Sequence, residues 1–366
     1  MAKTARAAKN AGKKLVLLGI SLLVALTLVE ILLRVVGYSP AVSSPLNAFH
    51  EAHERLGWVG TPNHTSRFKT LNFDAIVETD TEGFRINKSS VSPDENAPEV
   101  WILGDSTVWG WGVSNEEMFS SILQEEAGPG VRIRNFAMNA YGTLQEALLL
   151  EKLLSEKEPP AKVILMVCSN DFTDNLTDKG GARPFVKLAE PGQQPTIGNQ
   201  PVERKIGGKA ATLKRHSHAI TFLSYCTAVV KQIRKRRQHD DMFDSSWKKQ
   251  ADRVPKGRAK KPLPDDQIEG MRFAFEKIDA LCDQHEIEWN VISFPSATTG
   301  FAKPAQTLAL EEIVEDLDAE LVDILSGMSE NRREYYIGKG DFHWNAAGNR
   351  KAAEVLVERL GPNLGL

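Results

Sequence analysis

The chain has 366 residues, about a quarter of them charged, and a formal net charge of −3. That length suits one large domain or two modest ones, and the balance of charge excludes the strongly basic footprint of a nucleic-acid binder. Its three cysteines, Cys168, Cys226 and Cys282, are scattered without a C-x-x-C pair, which excludes both a disulfide scaffold and a cysteine zinc site.

Residues 1–14 carry five basic side chains and no acid, and read as a cytoplasmic tail. The run from Leu15 to Val36 is apolar; as a helix it reaches roughly 33 Å, enough to cross a bilayer core. Glu30 and Arg34 interrupt it near the far end, spaced i,i+4 so that they pair on one face and snorkel to the interface. The basic flank stays inside, so this signal anchor places everything after residue 36 outside the cytoplasm, periplasmic or extracellular, with the membrane as a partner. The rival is a cleaved signal peptide with Ala41-Val42-Ser43 as its site, disfavoured because two charges separate that site from the apolar run.

Residues 37–97 are mixed and rich in turn formers, a lead-in predicted to pack on the main domain without chemistry of its own. Within it "FDAIVETDTEGFRI" predicts a strand pair around a turn. From residue 98 onward strands and helices alternate. "EVWILG", "VRIRNFAM", "AKVILMVCS" and "WNVISFP" read as buried strands. "SNEEMFSSILQEEAG", opened by a Ser114–Glu117 capping box, and "TLQEALLLEKLLSEK" read as helices. So do "DQIEGMRFAFEKIDALCDQHE", "TLALEEIVEDLDAE" and the terminal "AAGNRKAAEVLVERL". Repeated β-α-β units predict an α/β domain over 98–366, built on a parallel sheet with right-handed crossovers.

Residues 179–265 break the rhythm. They hold the basic runs "KQIRKRRQHD" and "KGRAKKPLP" and one helical stretch, "AATLKRHSHAITFLSYCTAVVKQIRKR". They read as a solvated insertion, with a cleft-shaping cap or an anionic-surface patch as the sharper alternatives. His216 and His218 lie there without an acidic ligand cluster, so no metal is assigned.

Four short sequences fall at strand ends or just before the last helix, where ligands of doubly wound sheets gather. They are Gly104-Asp105-Ser106, Asn139-Ala-Tyr-Gly142, Ser169-Asn170-Asp171 and Asp341-Phe-His343-Trp-Asn345. Each alone reads as an ordinary turn, cap or loop; four at one sheet edge point to a site. Ser106 is a nucleophile that needs a base, His343 the base, and Asp341 the group that holds its tautomer. Asn345 caps the final helix and fixes the loop that carries both. The Ser106 N–H, the Gly142 N–H and the Asn170 amide would form an oxyanion hole. Position 108 is Val, so no Gly-x-Ser-x-Gly elbow surrounds Ser106. Cys168 reads as a small buried hydrophobe, Asp105 as a residue satisfying turn N–H groups, and Trp109 and Trp111 as core or as lining of an acyl or sugar site.

On these blocks the chain resembles the SGNH (GDSL-type) hydrolases, esterases and lipases. The Gly-Asp-Ser of the first block is residues 104–106, the glycine of the second is Gly142, the asparagine of the third is Asn170, and "GDFHWNAAG" is the last. The resemblance covers roughly residues 95–360 and leaves the insertion unmatched. With "VEILLRVVG" and "TEGFR" it extends to membrane-anchored bacterial members. It implies a flavodoxin-like three-layer α/β/α fold and a serine esterase without cofactor. The expected substrate is a small acyl ester, acetyl first, on an extracytoplasmic glycan or on a lipid. Two positions depart from the family: Cys168 replaces a usual glycine, and the last block reads Asp-x-His instead of Asp-x-x-His. The shorter spacing resembles polysaccharide O-acetyltransferase relatives with Asp-x-His-Trp, so acyl transfer stands as one alternative. A catalytically degenerate glycan- or protein-binding domain stands as the other.

Overall fold

The computed structural model describes residues 2–38, 40–43, 48–190, 193–204, 206, 217–251, 262–294, 305–322, 324, 327, 332–338, 341–361 and 364. Helix α1 (Ala2–Val35) leads into short strands β1 (Ala41–Val42), β2 (His50–His53), β3 (Gly57–Gly60), β4 (Thr65–Lys69) and β5 (Asp74–Glu78). The alternating region follows with β6 (Glu99–Leu103), α2 (Ser106–Trp109), α3 (Phe119–Ala127), β7 (Arg132–Asn135), α4 (Thr143–Glu156) and β8 (Lys162–Cys168). Next come α5 (Asp171–Asp174), the β9 (Phe185–Lys187) and β10 (Thr196–Gly198) pair, and α6 (His218–Ala251). The chain closes with α7 (Asp265–Gln284), β11 (Glu288–Phe294), α8 (Ala305–Val314), β12 (Ala319–Val322), the β13 (Tyr336–Gly338) and β14 (Asp341–Trp344) hairpin, and α9 (Ala346–Leu360).

The apolar runs form one five-stranded sheet in the order β12-β11-β8-β6-β7, every pair parallel. Numbered along the chain that order is 2-1-3-4-5, the flavodoxin-like winding, whose switch point lies between the first and third strands. Those strands are β6 and β8. Successive residues face opposite layers. Trp101, Leu103, Val163, Leu165 and Val167 pack with α4, α7 and α8, while Val100, Ile102, Ile164 and Met166 pack with α3 and α9. Both faces are covered, so the central strands β6, β8 and β11 are largely apolar, as a parallel sheet requires, while the edge strands β7 and β12 carry charged residues.

The described elements differ from the sequence expectation at three places. The stretch read as one helix over "TLALEEIVEDLDAE" stops at Val314, and Ala319–Val322 forms the edge strand β12. The "FDAIVETDTEGFRI" stretch holds one strand, β5, which pairs antiparallel with β4; its second half contributes only a Thr79–Arg85 bridge. The Ser114–Glu117 box opens a 3₁₀ turn at Asn115–Glu117, and α3 starts only at Phe119. Residues 210–216 of the expected insertion helix lie outside the described residues; from His218 it runs as far as Ala251.

The lead-in is woven into both layers. Phe49, Phe68 and Val77 join the cluster of α3 and α9, and Leu56, Trp58 and Phe84 join that of α4 and α7. Within α1, Gly12–Val35 is long and apolar enough to cross a membrane, and its most apolar window is unburied. Glu30 pairs with Arg34 at 2.7 Å. It also accepts hydrogen bonds from Ser217 Oγ at 2.8 Å and from the N–H groups of His218 at 3.2 Å and Ala219 at 2.8 Å. An acid on α1 therefore caps the start of α6, where the helix dipole favours negative charge.

Candidate active site

Strand β6 delivers Gly104, Asp105 and Ser106 to the switch point. Asp105 caps the short helix α2, its Oδ1 accepting from the Thr107 N–H at 3.0 Å, which sets Ser106 at the first helical position. Ser106 is 9% exposed, so it is largely shielded from bulk water. Its Oγ lies 2.7 Å from His343 Nε2, across 237 residues of sequence. On the other side of the ring, His343 Nδ1 lies 2.7 Å from Asp341 Oδ1. A carboxylate only accepts, so Nδ1 carries the proton and Nε2 is left to accept from Ser106.

The hairpin of β13 and β14 holds the acid and base. Asp341 and His343 sit two apart on β14, and Asn345 ends it. Asn345 Oδ1 accepts from the Gly348 N–H at 3.0 Å as the N-cap of α9, while its amide donates to Glu334 O at 2.7 Å and Tyr336 O at 3.1 Å. One side chain thus ties the helix start to the hairpin.

Trp111 is the residue that sequence reasoning left ambiguous. Its indole stacks on the His343 imidazole, centroids 4.8 Å apart at 18°, and its Nε1–H donates to Asp341 Oδ2 at 2.9 Å. Trp109, by contrast, is core, packed against Phe49 and Phe68. The loop between them is held by Arg85 of the lead-in. That guanidinium is buried and donates to Gly110 O at 2.7 Å, Val113 O at 3.1 Å, Trp109 O at 3.2 Å and Asn115 Oδ1 at 2.6 Å. Burial pushes its pKa down to about 9. The lead-in therefore does take part in the site, by bracing the Trp111 loop, although no sequence signal marks a buried arginine.

Gly142 begins α4 at φ −109°, so its value lies in room for close approach and not in backbone freedom. An added Cβ would meet Asn175 Oδ1 at 3.0 Å and Asp174 Cβ at 3.2 Å. The turn before it is pinned from the lead-in: Trp58 Nε1–H donates to Asn139 O at 3.0 Å, and the Tyr141 hydroxyl donates to Trp58 O. Asn170 follows β8. Its amide donates to Asp174 Oδ2 at 3.0 Å, with longer contacts to Asp171 Oδ1 at 3.4 Å and Asp105 Oδ2 at 3.5 Å. The structure thus brings Ser106, His343 and Asp341 into one relay, with Asn170 beside Asp105 and Gly142 beside Asp174.

Cys168 has a role beyond the small hydrophobe expected of it: its thiol donates to Asp105 Oδ1 at 3.0 Å. Burial, then Asp105 and Asp171, push the thiol pKa well up, which keeps it protonated. Behind the site Glu146 and Asp171 are also buried. Burial raises both carboxyl groups well above the ordinary range, reinforced at Glu146 by Asp105 and Asp174. Among the described residues no group of three His, Cys, Asp or Glu is arranged to hold a metal.

No family model matches the sequence, and no curated protein matches it. Solved structures do. A psychrotrophic esterase from Pseudoalteromonas sp. is 12% identical, with 74% of this chain and 100% of that one covered and a TM-score of 0.39. A carbohydrate acetylesterase from Sinorhizobium meliloti is 12% identical, covering 71% and 97%, at 0.38. A lipolytic G-D-S-L family protein from Veillonella parvula is 11% identical, covering 71% and 96%, at 0.39. At such identities and scores these likenesses carry no inference about chemistry, which rests on this chain's own geometry.

Proposed function

We propose that this chain is a serine ester hydrolase of the SGNH kind, anchored by α1 with its catalytic domain outside the cytoplasm. The observation that carries the reading is the unbroken relay from Ser106 Oγ through His343 to Asp341, two contacts of 2.7 Å each. As the Ser106 oxygen attacks an ester carbonyl, His343 Nε2 takes its proton, and Asp341 stabilises the imidazolium and holds the ring. Trp111 fixes the second oxygen of Asp341 and covers one face of the ring, so the base has one orientation. The oxyanion would be received by the Ser106 N–H, the Gly142 N–H and the Asn170 amide, neutral donors suited to a charge that develops only in the transition state. Collapse expels the alcohol, protonated by His343, and water then releases the acyl group from Ser106 by the reverse route.

We assign a small acyl group, acetyl first, carried on an extracytoplasmic glycan. Water is the favoured acceptor. Trp344, which completes the Asp-x-His-Trp sequence, is buried against Phe294 and Phe119 and so offers no face to an acceptor sugar. The test is a fluorophosphonate probe on wild type and Ser106→Ala, followed by p-nitrophenyl acetate with and without oligosaccharide. Labelling confined to wild type, with steady acetate release unchanged by sugar, is the expected result. Labelling that persists in Ser106→Ala moves the nucleophile elsewhere, and no labelling at all favours a binding domain. A burst that stalls until sugar is added, yielding acetylated sugar, replaces hydrolysis by transfer.

A further inference from the structure

Arg183 lies in the segment 179–265 that reads as a solvated insertion, yet its side chain is only 2% exposed. A buried guanidinium is costly unless each edge of its fork is used. Here the edges are used on two different loops. Nη2 donates to Asp174 Oδ1 at 2.6 Å and to Thr177 Oγ1 at 2.8 Å, and Nε donates to Thr177 O at 2.9 Å. Nη1 points the other way, to Ala140 O at 3.4 Å.

Both targets matter to the esterase reading on which this inference rests. Asp174 uses its second oxygen, Oδ2, to accept from the Asn170 amide at 3.0 Å. Ala140 sits at φ +62°, a left-handed conformation that a side-chain-bearing residue adopts only when its surroundings hold it. Two residues later comes Gly142, whose α-carbon faces the β-carbon of Asp174 closely enough that an added methyl would lie 3.2 Å from it. One rigid, planar group therefore touches the turn that presents the Gly142 N–H and the carboxylate that orients the Asn170 amide.

We propose that Arg183 is a positioning residue of the oxyanion hole: through Ala140 and Asp174 it fixes the Gly142 N–H and the Asn170 amide relative to one another. It does not touch substrate. Planarity is what suits arginine to the task, because the angle between its donors sets the angle between the two loops. A lysine reaches Asp174 as a point charge and leaves Ala140 without a donor. A purely structural role predicts something else. In that case the Arg183 side chain only ties its own loop to Thr177, through Nε to Thr177 O and Nη2 to Thr177 Oγ1, and its loss weakens folding without acting through Asn170.

The experiment is a mutant cycle on the full-length protein in detergent, read by kcat and KM for p-nitrophenyl acetate and by thermal unfolding. Asn170→Ala, the loss of one oxyanion donor, is expected to cut kcat by about 10²–10³. Arg183→Met should lose about 10²-fold in kcat with KM changed less than about threefold, and Arg183→Lys should fall between it and wild type. The double variant Arg183→Met with Asn170→Ala should lose clearly less than the product of the two single losses, because the arm of Arg183 that runs through Asp174 acts on the donor that Asn170→Ala has already removed. Losses that multiply, or a folded Arg183→Met with wild-type kcat, overturn the proposal. If Arg183→Met fails to fold, Asp174→Asn replaces it in the cycle. Asparagine offers one oxygen where two are needed, so the same non-additivity with Asn170→Ala is expected, and multiplying losses again overturn the idea. A wild type that neither turns over ester nor takes the phosphonate overturns the esterase reading and this proposal with it. An active wild type matched by a folded Arg183→Met overturns this proposal alone.

Discussion

The indole of Trp111 stands parallel to the His343 ring, 18° from coplanar at 4.8 Å, and donates its only N–H to Asp341. The stack and the hydrogen bond do different things, and substitution separates them. Trp111→Phe keeps an aromatic face and removes the donor to a charged group, a contribution of roughly 1.5–3 kcal/mol. If that contribution is realised in the transition state, kcat falls by about 10–100-fold. Trp111→Ala removes both and should fall further. Steady-state kinetics with circular dichroism on each variant decide the matter; equal kcat for Trp111→Phe and wild type would deny the hydrogen bond any part in turnover.

Asp341 has both oxygens committed as acceptors, Oδ1 to His343 Nδ1 and Oδ2 to Trp111 Nε1. Asparagine has one acceptor and one donor, so it satisfies either the histidine or the tryptophan and opposes an N–H to the other. The histidine is then driven toward the wrong tautomer, with Nε2 protonated against Ser106. Asp341→Asn is expected to fold as wild type and to lose about 10³–10⁴ in kcat. Retention of more than a tenth of wild-type turnover would remove Asp341 from the relay.

Glu146 lies in the first turn of α4, buried, and neither of its oxygens has a hydrogen-bond partner among the described residues. Burial first, then Asp105 and Asp174, raise its pKa well above the ordinary 4.5. The sign follows from linkage. Above the ordinary value the unfolded chain sheds this proton while the folded chain keeps it, so stability is lost as pH rises. Glu146→Gln removes the titration. Its melting temperature should rise above wild type by more at pH 8 than at pH 5, with about 2–4 °C for each kcal/mol regained. Asp171, raised by burial and by Glu146 and Asp105, keeps part of the pH slope in the variant. An identical gain at the two pH values would mean that Glu146 is ionised in the fold.

The anchor reading makes a topological prediction. On that reading the basic residues up to Lys14 stay in the cytoplasm and the apolar helix α1 leads the chain out of it. Alkaline phosphatase fused after residue 45 in a bacterial host should be active, and a cytoplasmic reporter at the same junction inactive. The reverse pair of activities would turn the protein round in the membrane.

What the sequence makes legible here is whatever depends on near neighbours. The final helix runs over Ala346–Leu360, as its pattern predicts, because the Asn345 cap and the following Gly361 are local signals. The parallel sheet follows from alternating strands and helices, whereas its flavodoxin-like winding is an implication of the family resemblance, since the same alternation also suits other strand orders. Ser106, His343 and Asp341 announce themselves because each lies in a short block with its own spacing. β12 was hidden because its four residues follow α8 with no glycine or proline between, so nothing in the sequence interrupts the helical pattern. Trp111 was ambiguous because its role depends on Asp341, 230 positions away. Arg183 falls in a segment that reads as a solvated insertion and Arg85 in a lead-in that reads as having no chemistry, since nothing in a sequence says which carbonyls will surround a guanidinium.

Arg85 therefore gives the sharpest check on how the lead-in supports the site. Its fork supplies donors to the carbonyls of Trp109, Gly110 and Val113, and its face lies over the Trp109 ring at 5.1 Å. Gly110 is left-handed at φ +85°, and an added Cβ would lie 2.7 Å from Met118 Cγ and 2.9 Å from Arg85 Nη1, so only glycine leaves room for both side chains. Arg85→Met keeps the length of the side chain and leaves three buried carbonyls without that donor, each at a cost of about 1–3 kcal/mol. Urea unfolding should show a loss of at least about 3 kcal/mol. Trp111 lies between Gly110 and Val113, so the folded fraction should also turn over ester more slowly than wild type. Arg85→Lys should recover little of either, because one ammonium cannot reach carbonyls on both sides of the loop. Full stability in Arg85→Met would show that the loop holds its shape without the lead-in, and that Trp111 is positioned by Asp341 and His343 alone.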